Sequence, residues 1–182
     1  IGQYLMMTPS FVFENEVRAP KTTSPTLDAG NPIIFTEGAF TYNAVADATI
    51  SSFSMQLDNA LEDGKRKFGS TDILQPRRNG KLSLSGSFTV DFDDFAMYDN
   101  FRAATQKQVV LTFTGPLLTG STASNNYKLT ITIPNLMITD YGMAVDGPGE
   151  LTADVSWKAF RTGETGSECT IALVNENQLA VT

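Results

Sequence analysis

The sequence predicts a mainly β protein, a β-sandwich or small barrel of two antiparallel sheets with one flanking α-helix and a long inter-strand loop. Three observations support this fold class. Apolar and polar residues alternate with a period of two in several segments, which is typical of strands that have one buried face. Turn residues separate these segments. Only one segment shows the three- and four-residue spacing of a helix.

The clearest strands lie at the two ends of residues 50–94 and are separated by a polar loop. On the first strand, an apolar face alternates with a polar face: Phe53, Met55 and Leu57 against Ser52, Ser54, Gln56 and Asp58. On the second strand, the apolar face consists of Leu82, Leu84, Phe88, Val90 and Phe92, with Gly86 in the same register. We therefore expect these strands to line a core on one side only.

A helix is predicted over residues 94–104, where apolar and long side chains recur at helical spacing: Phe95, Tyr98, Phe101 and Arg102. Asp91, Asp93 and Asp94 stand at its start, where carboxylates cap free amides. The same three residues are the best candidate for a metal site. The calcium-loop pattern fails, however, because its sixth and twelfth positions hold Ala96 and Arg102 instead of Gly and Glu.

The other predicted elements are shorter. The chain divides into residues 1–48, with short strands and an extended connector, a sandwich domain at 49–175 with a loop at 60–80, and a tail at 176–182. Pro134 is expected to separate two strands, and Cys169 is expected to be a buried thiol that faces inward with Ile171 and Leu173. The strands are predicted at 10–17, 33–36, 40–45, 109–114, 127–133, 136–145, 151–160 and 168–174, with the connector at 21–32.

Composition excludes several classes of site. The chain has 182 residues, no His and one Cys, so it can form neither a Ser-His-Asp or Cys-His site nor an intrachain disulfide. No phosphate-binding or dinucleotide motif occurs. Acids such as Asp140, Asp146 and Asp154 lack the apolar surroundings of a glycosidase pair. We therefore predict no catalytic residue, no cofactor and no bound metal. No apolar run is long enough for a membrane helix, and residues 1–7 make a poor signal peptide.

Charge is unevenly distributed. The net charge is −7, yet residues 64–81, here called the basic arm, hold six of the thirteen basic residues and one acid, Asp72. The arm therefore carries +6 − 1 = +5 and the remainder 7 − 19 = −12. A loop of this length inside a compact domain is uncommon unless it has a function.

Three interpretations of the basic arm remain open at this point. It could be a solvated loop, a nucleic-acid contact, or a segment that docks onto the acidic body of another copy. Nucleic acid is disfavoured because Phe68 is the only aromatic residue available for stacking. Docking onto another copy is favoured by charge complementarity and by the apolar side chains of the arm, Phe68, Ile73 and Leu74. The residues that would form this contact are Lys65, Arg66, Lys67, Phe68, Ile73, Leu74, Arg77 and Arg78.

The segments SFSMQLDNAL, KLSLSGSFTVDFDDFAMYDNF, VVLTFTG, YKLTITIPNLMIT, GELTADVSWKAF and CTIALVN, in this order, resemble the tail tube proteins of long-tailed bacteriophages. The resemblance extends over residues 49–175. It implies a β-sandwich whose copies join their sheets into rings, which are hexameric and stack into a tube. The loop at 60–80 would reach the next ring.

The resemblance further implies a virion tail protein that is assembled in the host cytoplasm. Its partners would be further copies, the tape measure and terminator proteins, and viral DNA that passes through an acidic lumen without specific binding. Two other classes remain open. A non-enzymatic binding module of a surface fibre or adhesin would not self-associate, and an enzyme is disfavoured by the missing nucleophile and base.

Overall fold

The computed structural model describes residues 4–11, 34–47, 49–62, 66, 68–69, 77–118, 126–143, 151–163 and 166–175. Within these ranges the chain forms ten strands, one α-helix and one 3₁₀ turn at Phe35–Glu37. The strands are β1 (Gly38–Tyr42), β2 (Val45–Asp47), β3 (Ile50–Asp58), β4 (Leu61–Glu62), β5 (Arg77–Arg78), β6 (Ser83–Asp91), β7 (Lys107–Leu117), β8 (Asn126–Met143), β9 (Thr152–Ala159) and β10 (Thr170–Val174); the helix is α1 (Ala96–Arg102).

The main sheet folds back on itself to form a sandwich. Its strand order is β2-β1-β7-β8-β9-β6-β3, with β10 also on β8, and every described pairing is antiparallel. The ring of Phe40 on β1 lies 5.6 Å from that of Phe88 on β6 and 6.1 Å from that of Phe53 on β3. Strands far apart in the sheet order therefore face each other across the core, and the predicted fold class is confirmed.

Strand β8 belongs to both layers. Its first half pairs with β7 and β10, and its last part pairs with β9. We predicted two strands separated by Pro134, and this prediction was wrong. Pro134 lies in a bulge, where Lys107 pairs with Leu136 and Val109 with Ile133. The β10 pairing ends at Thr132 and the β9 pairing begins at Leu136, so the missing N–H of proline costs the sheet no hydrogen bond.

The alternation predicted for the central strands is confirmed. On β6, Leu84, Phe88 and Val90 are buried, and on β9 every second residue from Ala153 to Ala159 is buried. Phe53 and Met55 of β3 pack against the same cluster, whereas Leu57 at the strand's end is exposed. The largest fully buried side chain is Trp157, and its indole stacks on Phe53 at 5.6 Å.

The strand predicted over 40–45 is a hairpin. Asn43 and Ala44, with φ of 51° and 64°, form the turn between β1 and β2. Two consecutive residues with positive φ form the tight turn that suits twisted strands. Ala44 gives no sequence signal for such a turn, which explains the error. The predicted strand at 33–36 was also wrong, since Ile34 forms only a single bridge to Tyr4 before the 3₁₀ turn.

Helix α1 is shorter than predicted and turns a different face inward. It covers residues 96–102 rather than 94–104, and its buried residue is Met97. Phe95 is 60% exposed and Arg102 is exposed, whereas Tyr98 and Phe101 contact Tyr141 of β8. The N-cap residue is Phe95, which makes no capping hydrogen bond through its side chain, and Asp94 before it accepts a 2.8 Å hydrogen bond at Oδ1 from the Ala96 amide.

The apolar residues of β10 lie on the core side of the sheet, where Ile171 pairs with the buried Ile131, but they are not buried as predicted. Ile171 and Leu173 are 60% and 61% exposed, and all five residues of β10 are exposed. β10 pairs only with β8, and no described element covers its apolar face. Cys169 is half-buried rather than buried, and its pKa is raised by desolvation. Of the strand predicted at 10–17, residues 10 and 11 belong to no strand and residues 12–17 lie outside the described part of the chain, as does the connector at 21–32.

Candidate assembly surfaces

The basic arm leaves the sandwich at the end of β3 and returns at the start of β6. Its base is ordered by the two-stranded ladder in which Leu61 pairs with Arg78 and Glu62 with Arg77. Arg78 Nη2 donates a hydrogen bond of 2.7 Å to Asn59 Oδ1, and the Asn79 amide donates one of 2.8 Å to the Ala60 carbonyl. The base is therefore a ribbon, which differs from the structureless loop that the sequence indicated.

The described residues of the predicted contact set are all exposed. Arg77 and Arg78 are consecutive in β5 and so project to opposite faces of the ribbon. Arg66 is exposed, and the Phe68 side chain is fully exposed, at 109% of its reference area. Lys65, Lys67, Ile73 and Leu74 lie outside the described residues. An exposed aromatic residue between guanidinium groups is typical of a contact surface.

A second surface is the outward face of β3, β6, β9 and the last part of β8, here called the hydroxyl face. A shallow depression of about 640 Å³ lies on it. Serine and threonine predominate among its outward residues: Ser52, Ser54, Gln56, Ser85, Ser87, Thr89, Thr139 and Ser156. Aromatic side chains are absent from this group, so this face offers no stacking platform for nucleic-acid bases.

The hydroxyl groups of this face bond to one another across the strands. Ser54 Oγ lies 2.9 Å from Ser87 Oγ, and Ser52 Oγ donates a 2.9 Å hydrogen bond to Thr89 Oγ1. Thr89 Oγ1 in turn donates one of 2.9 Å to Asp154 Oδ1. Because these groups satisfy each other, the face gains little from a bound polar ligand.

The charges of the hydroxyl face are mainly negative. The register places Asp58, Asp91, Asp140 and Asp154 on it, together with a single cation, Lys158. Phosphate groups would meet repulsion here, because nucleic-acid binding depends on neutralisation by Lys and Arg.

A third surface is a groove of about 390 Å³ between the β1–β2 hairpin and the segment that joins β6 to α1. We call it the acidic groove, because four carboxylates line it: Asp47, Asp91, Asp93 and Asp94. Asp47 Oδ1 accepts hydrogen bonds from the amide (3.0 Å) and hydroxyl (2.6 Å) of Thr49. Asp91 and Asp93 make no side-chain hydrogen bond within the described part of the chain.

Two tyrosines line the groove, and both have raised pKa values. The Tyr42 side chain is 8% exposed, and its hydroxyl has no hydrogen-bond partner. Desolvation raises the pKa of Tyr42 to about 12 and outweighs the lowering by the nearby Asn100 side chain, which forms no well-aligned hydrogen bond with the hydroxyl. The pKa of Tyr141 is raised by desolvation and by the negative charge of Asp94. Asp47 could not have been grouped with the other three from sequence, because the hairpin turn that places it carries no clear signal.

The described residues hold no group of three or more His, Cys, Asp or Glu side chains close enough to bind a metal ion. The predicted alternative for Asp91, Asp93 and Asp94, a strand end and a helix cap, matches their placement in β6 and before α1. Within the same residues, no helix is long and apolar enough to cross a membrane.

Two solved structures share this fold at low sequence identity. The cap that terminates the anti-feeding prophage tube aligns with a TM-score of 0.54 and 12% identity, over 84% of this chain and 98% of that one. The sheath/tube terminator of an extracellular contractile injection system aligns with a TM-score of 0.57 and 10% identity, over 80% and 99%. No curated protein matches the chain.

The family comparison is more specific. The family described as phage tail tube protein matches residues 1–159. The match includes residues 1–48, which we had left outside the resemblance, and ends at the last residue of β9. β10 therefore lies beyond the matched part. The chain belongs to the phage tail tube protein family and has a structural role in a virion tail.

Proposed function

We propose that this chain is the repeating subunit of a hollow tail tube, in which copies close into rings and the rings stack. The observation that carries this proposal is that the two ends of the β3–β6 hairpin differ. An arm with exposed arginines leaves one end of a smooth, hydroxyl-lined sheet. A contact between two different surfaces, repeated along an axis, builds an open-ended filament.

Ring closure is assigned to two free strand edges. Among the described residues, β3 pairs only with β6, and residues 137–143 of β8 pair only with β9. These strands are the two outer members of the four-stranded layer β8-β9-β6-β3. Pairing β3 of one copy with β8 of the next would join these layers into a continuous barrel and would leave no open edge in this layer of the ring.

The hydroxyl face then becomes the wall of the lumen. Its side chains are small, mutually hydrogen-bonded and without aromatic platforms, and its net charge repels phosphate. Such a wall suits the passage of DNA, because the moving DNA finds no stacking partners and only one cation, Lys158, to hold it. The partners are therefore further copies of this chain, DNA in transit, and the tape measure and terminator proteins.

Electron microscopy of the concentrated protein tests this proposal. We expect tubes of constant diameter with an open lumen. Deletion of residues 64–78 removes most of the arm and should leave a folded chain that forms single rings without stacking. Substitution of Ser54 and Ser87 by Ala, on the lumen wall, is the matched control and should leave both tubes and rings intact. A wild-type protein that remains monomeric at high concentration would contradict the proposal and favour the binding-module alternative.

A further inference from the structure

We propose that the acidic groove is the receptor for the basic arm of a second copy, so that arm and groove form the contact between successive rings. This inference rests on the proposed tube function and adds the site that receives the arm. Because Arg77 and Arg78 project to opposite faces of the ribbon, each guanidinium group would bind the carboxylates on its own side of the groove.

The first argument is position. β3 and β6 are nine residues long and antiparallel. The arm continues from Asp58 and returns before Ser83, whereas the groove lies at the other end of the same hairpin, where the Asp91 amide donates a hydrogen bond to the Thr49 carbonyl. At about 3.3 Å per residue, the two sites are roughly 30 Å apart along the strands. Head-to-tail stacking therefore brings the arm of one copy towards the groove of the next.

The second argument is charge. Asp91 and Asp93 have no side-chain hydrogen bond in the described structure, and Asp93 and Asp94 are exposed. The four carboxylates are spread along the groove instead of converging as they would around a metal ion, and the described residues hold no such convergence. A spread of anionic groups suits two separate guanidinium groups, each of which can bind a carboxylate through two hydrogen bonds.

The third argument is an unused polar group. The Tyr42 side chain lines the groove, is more than nine-tenths buried, and leaves its hydroxyl without a hydrogen-bond partner. Buried hydroxyl groups without partners are rare in native structures and call for a reason. An arginine seated against the neighbouring carboxylates could supply the missing donor after a small shift of the groove wall. Val45, which lines the groove and is 67% exposed, offers an apolar contact for Phe68 of the arm.

A charge-exchange experiment tests the assignment, with the critical concentration for tube formation as the readout from sedimentation and electron microscopy. The groove variant is Asp91→Arg with Asp93→Arg, and the arm variant is Arg77→Asp with Arg78→Asp. We expect each to raise the critical concentration by at least about tenfold, because like charges then face each other. Combining the two variants in one chain should restore it to within about threefold of wild type.

Two further variants keep the result interpretable. Asp93→Arg alone changes an exposed residue without side-chain hydrogen bonds. This variant should therefore fold normally, but its rings should stack more weakly than those of wild type. Asp99→Arg makes the same charge change at an exposed residue of α1 that does not line the groove, and it should leave stacking unaffected. Tubes that form equally well from the groove variants would overturn the groove assignment and leave the proposed function standing. A wild-type chain that forms no tubes would overturn both.

Discussion

The indole of Trp157 lies over Gly86, and a Cβ atom at position 86 would come within 2.7 Å of Cζ2 of that ring. The same atom would also overlap the backbone carbonyl of Ser54. Position 86 therefore requires glycine because of close packing rather than because of an unusual φ. The contact unites three strands, since Met55, Gly86 and Trp157 are cross-strand partners.

We expect Gly86→Ala to destabilise the protein by about 2 kcal/mol or more, because a backbone atom cannot move aside as a flexible side chain could. Equilibrium unfolding in urea measures this change. Gly142→Ala is the control, since its Cβ would meet only the Asp154 carbonyl oxygen at 3.5 Å. The control should change stability by less than about 0.5 kcal/mol. Equal effects of the two variants would contradict the packing account of Gly86.

Tyr42 should make folding stability fall at alkaline pH. Burial raises its pKa from 10.0 to about 12, so the folded chain holds this proton more tightly than the unfolded chain does. The stabilisation is fully present below pH 10 and is lost as pH rises from 10 to 12. Urea midpoints measured between pH 8 and pH 12 should show this loss in wild type.

The control for this prediction is Tyr42→Phe, which should reduce the alkaline slope and leave a remainder from Tyr141, whose pKa is also raised. At neutral pH the variant should be at least as stable as wild type, because the removed hydroxyl has no hydrogen-bond partner. An unchanged slope in the variant would show that Tyr42 is not the titrating group.

Two isoleucines that face each other should respond very differently to the same substitution. Ile171 of β10 pairs with Ile131 of β8, but Ile131 is 7% exposed and Ile171 is 60% exposed. Ile131→Thr should cost about 2 kcal/mol or more in unfolding free energy, because it places a hydroxyl in the core. Ile171→Thr should cost less than about 0.5 kcal/mol and should reduce non-specific association, since it removes an apolar group from a free edge. A large loss for Ile171→Thr in the monomer would indicate that β10 is covered.

Cys169 should be a slow nucleophile in the folded protein. Burial raises its pKa, and the thiolate is the reactive form. At pH 8 we expect iodoacetamide to modify the native chain several times more slowly than the urea-unfolded chain, with the difference shrinking as pH rises. Mass spectrometry over time measures both rates. Equal rates at pH 8 would contradict the half-buried environment.

Local alternation was sufficient to predict β3, β6 and β9, because each has one face on the core and one in solvent. It failed for β8, where Pro134 looked like a break. The strand tolerates proline because its pairing partners change at that point, and only the three-dimensional arrangement reveals this. β10 has the same alternation as the buried strands, yet no described element covers it. Periodicity therefore indicates which residues share a face, but it does not indicate whether that face is buried.

Only one half of the candidate site could be predicted from the sequence. The basic arm was visible as a charge imbalance over consecutive residues, and Arg77 and Arg78 could be named at once. The acidic groove was not visible, because Asp47 and Asp91 are far apart in sequence and meet only after the β1–β2 hairpin has formed.

The shared strand β8 has a mechanical consequence. In a sandwich made of separate sheets, the layers can slide past each other, and only side-chain packing resists. Here the backbone of β8 runs from the layer that contains β1, β2, β7 and β10 into the layer that carries the hydroxyl face. Peptide bonds therefore bear a shear load on either layer. A tube wall made of such subunits should resist bending and twisting through chain tension as well as through packing.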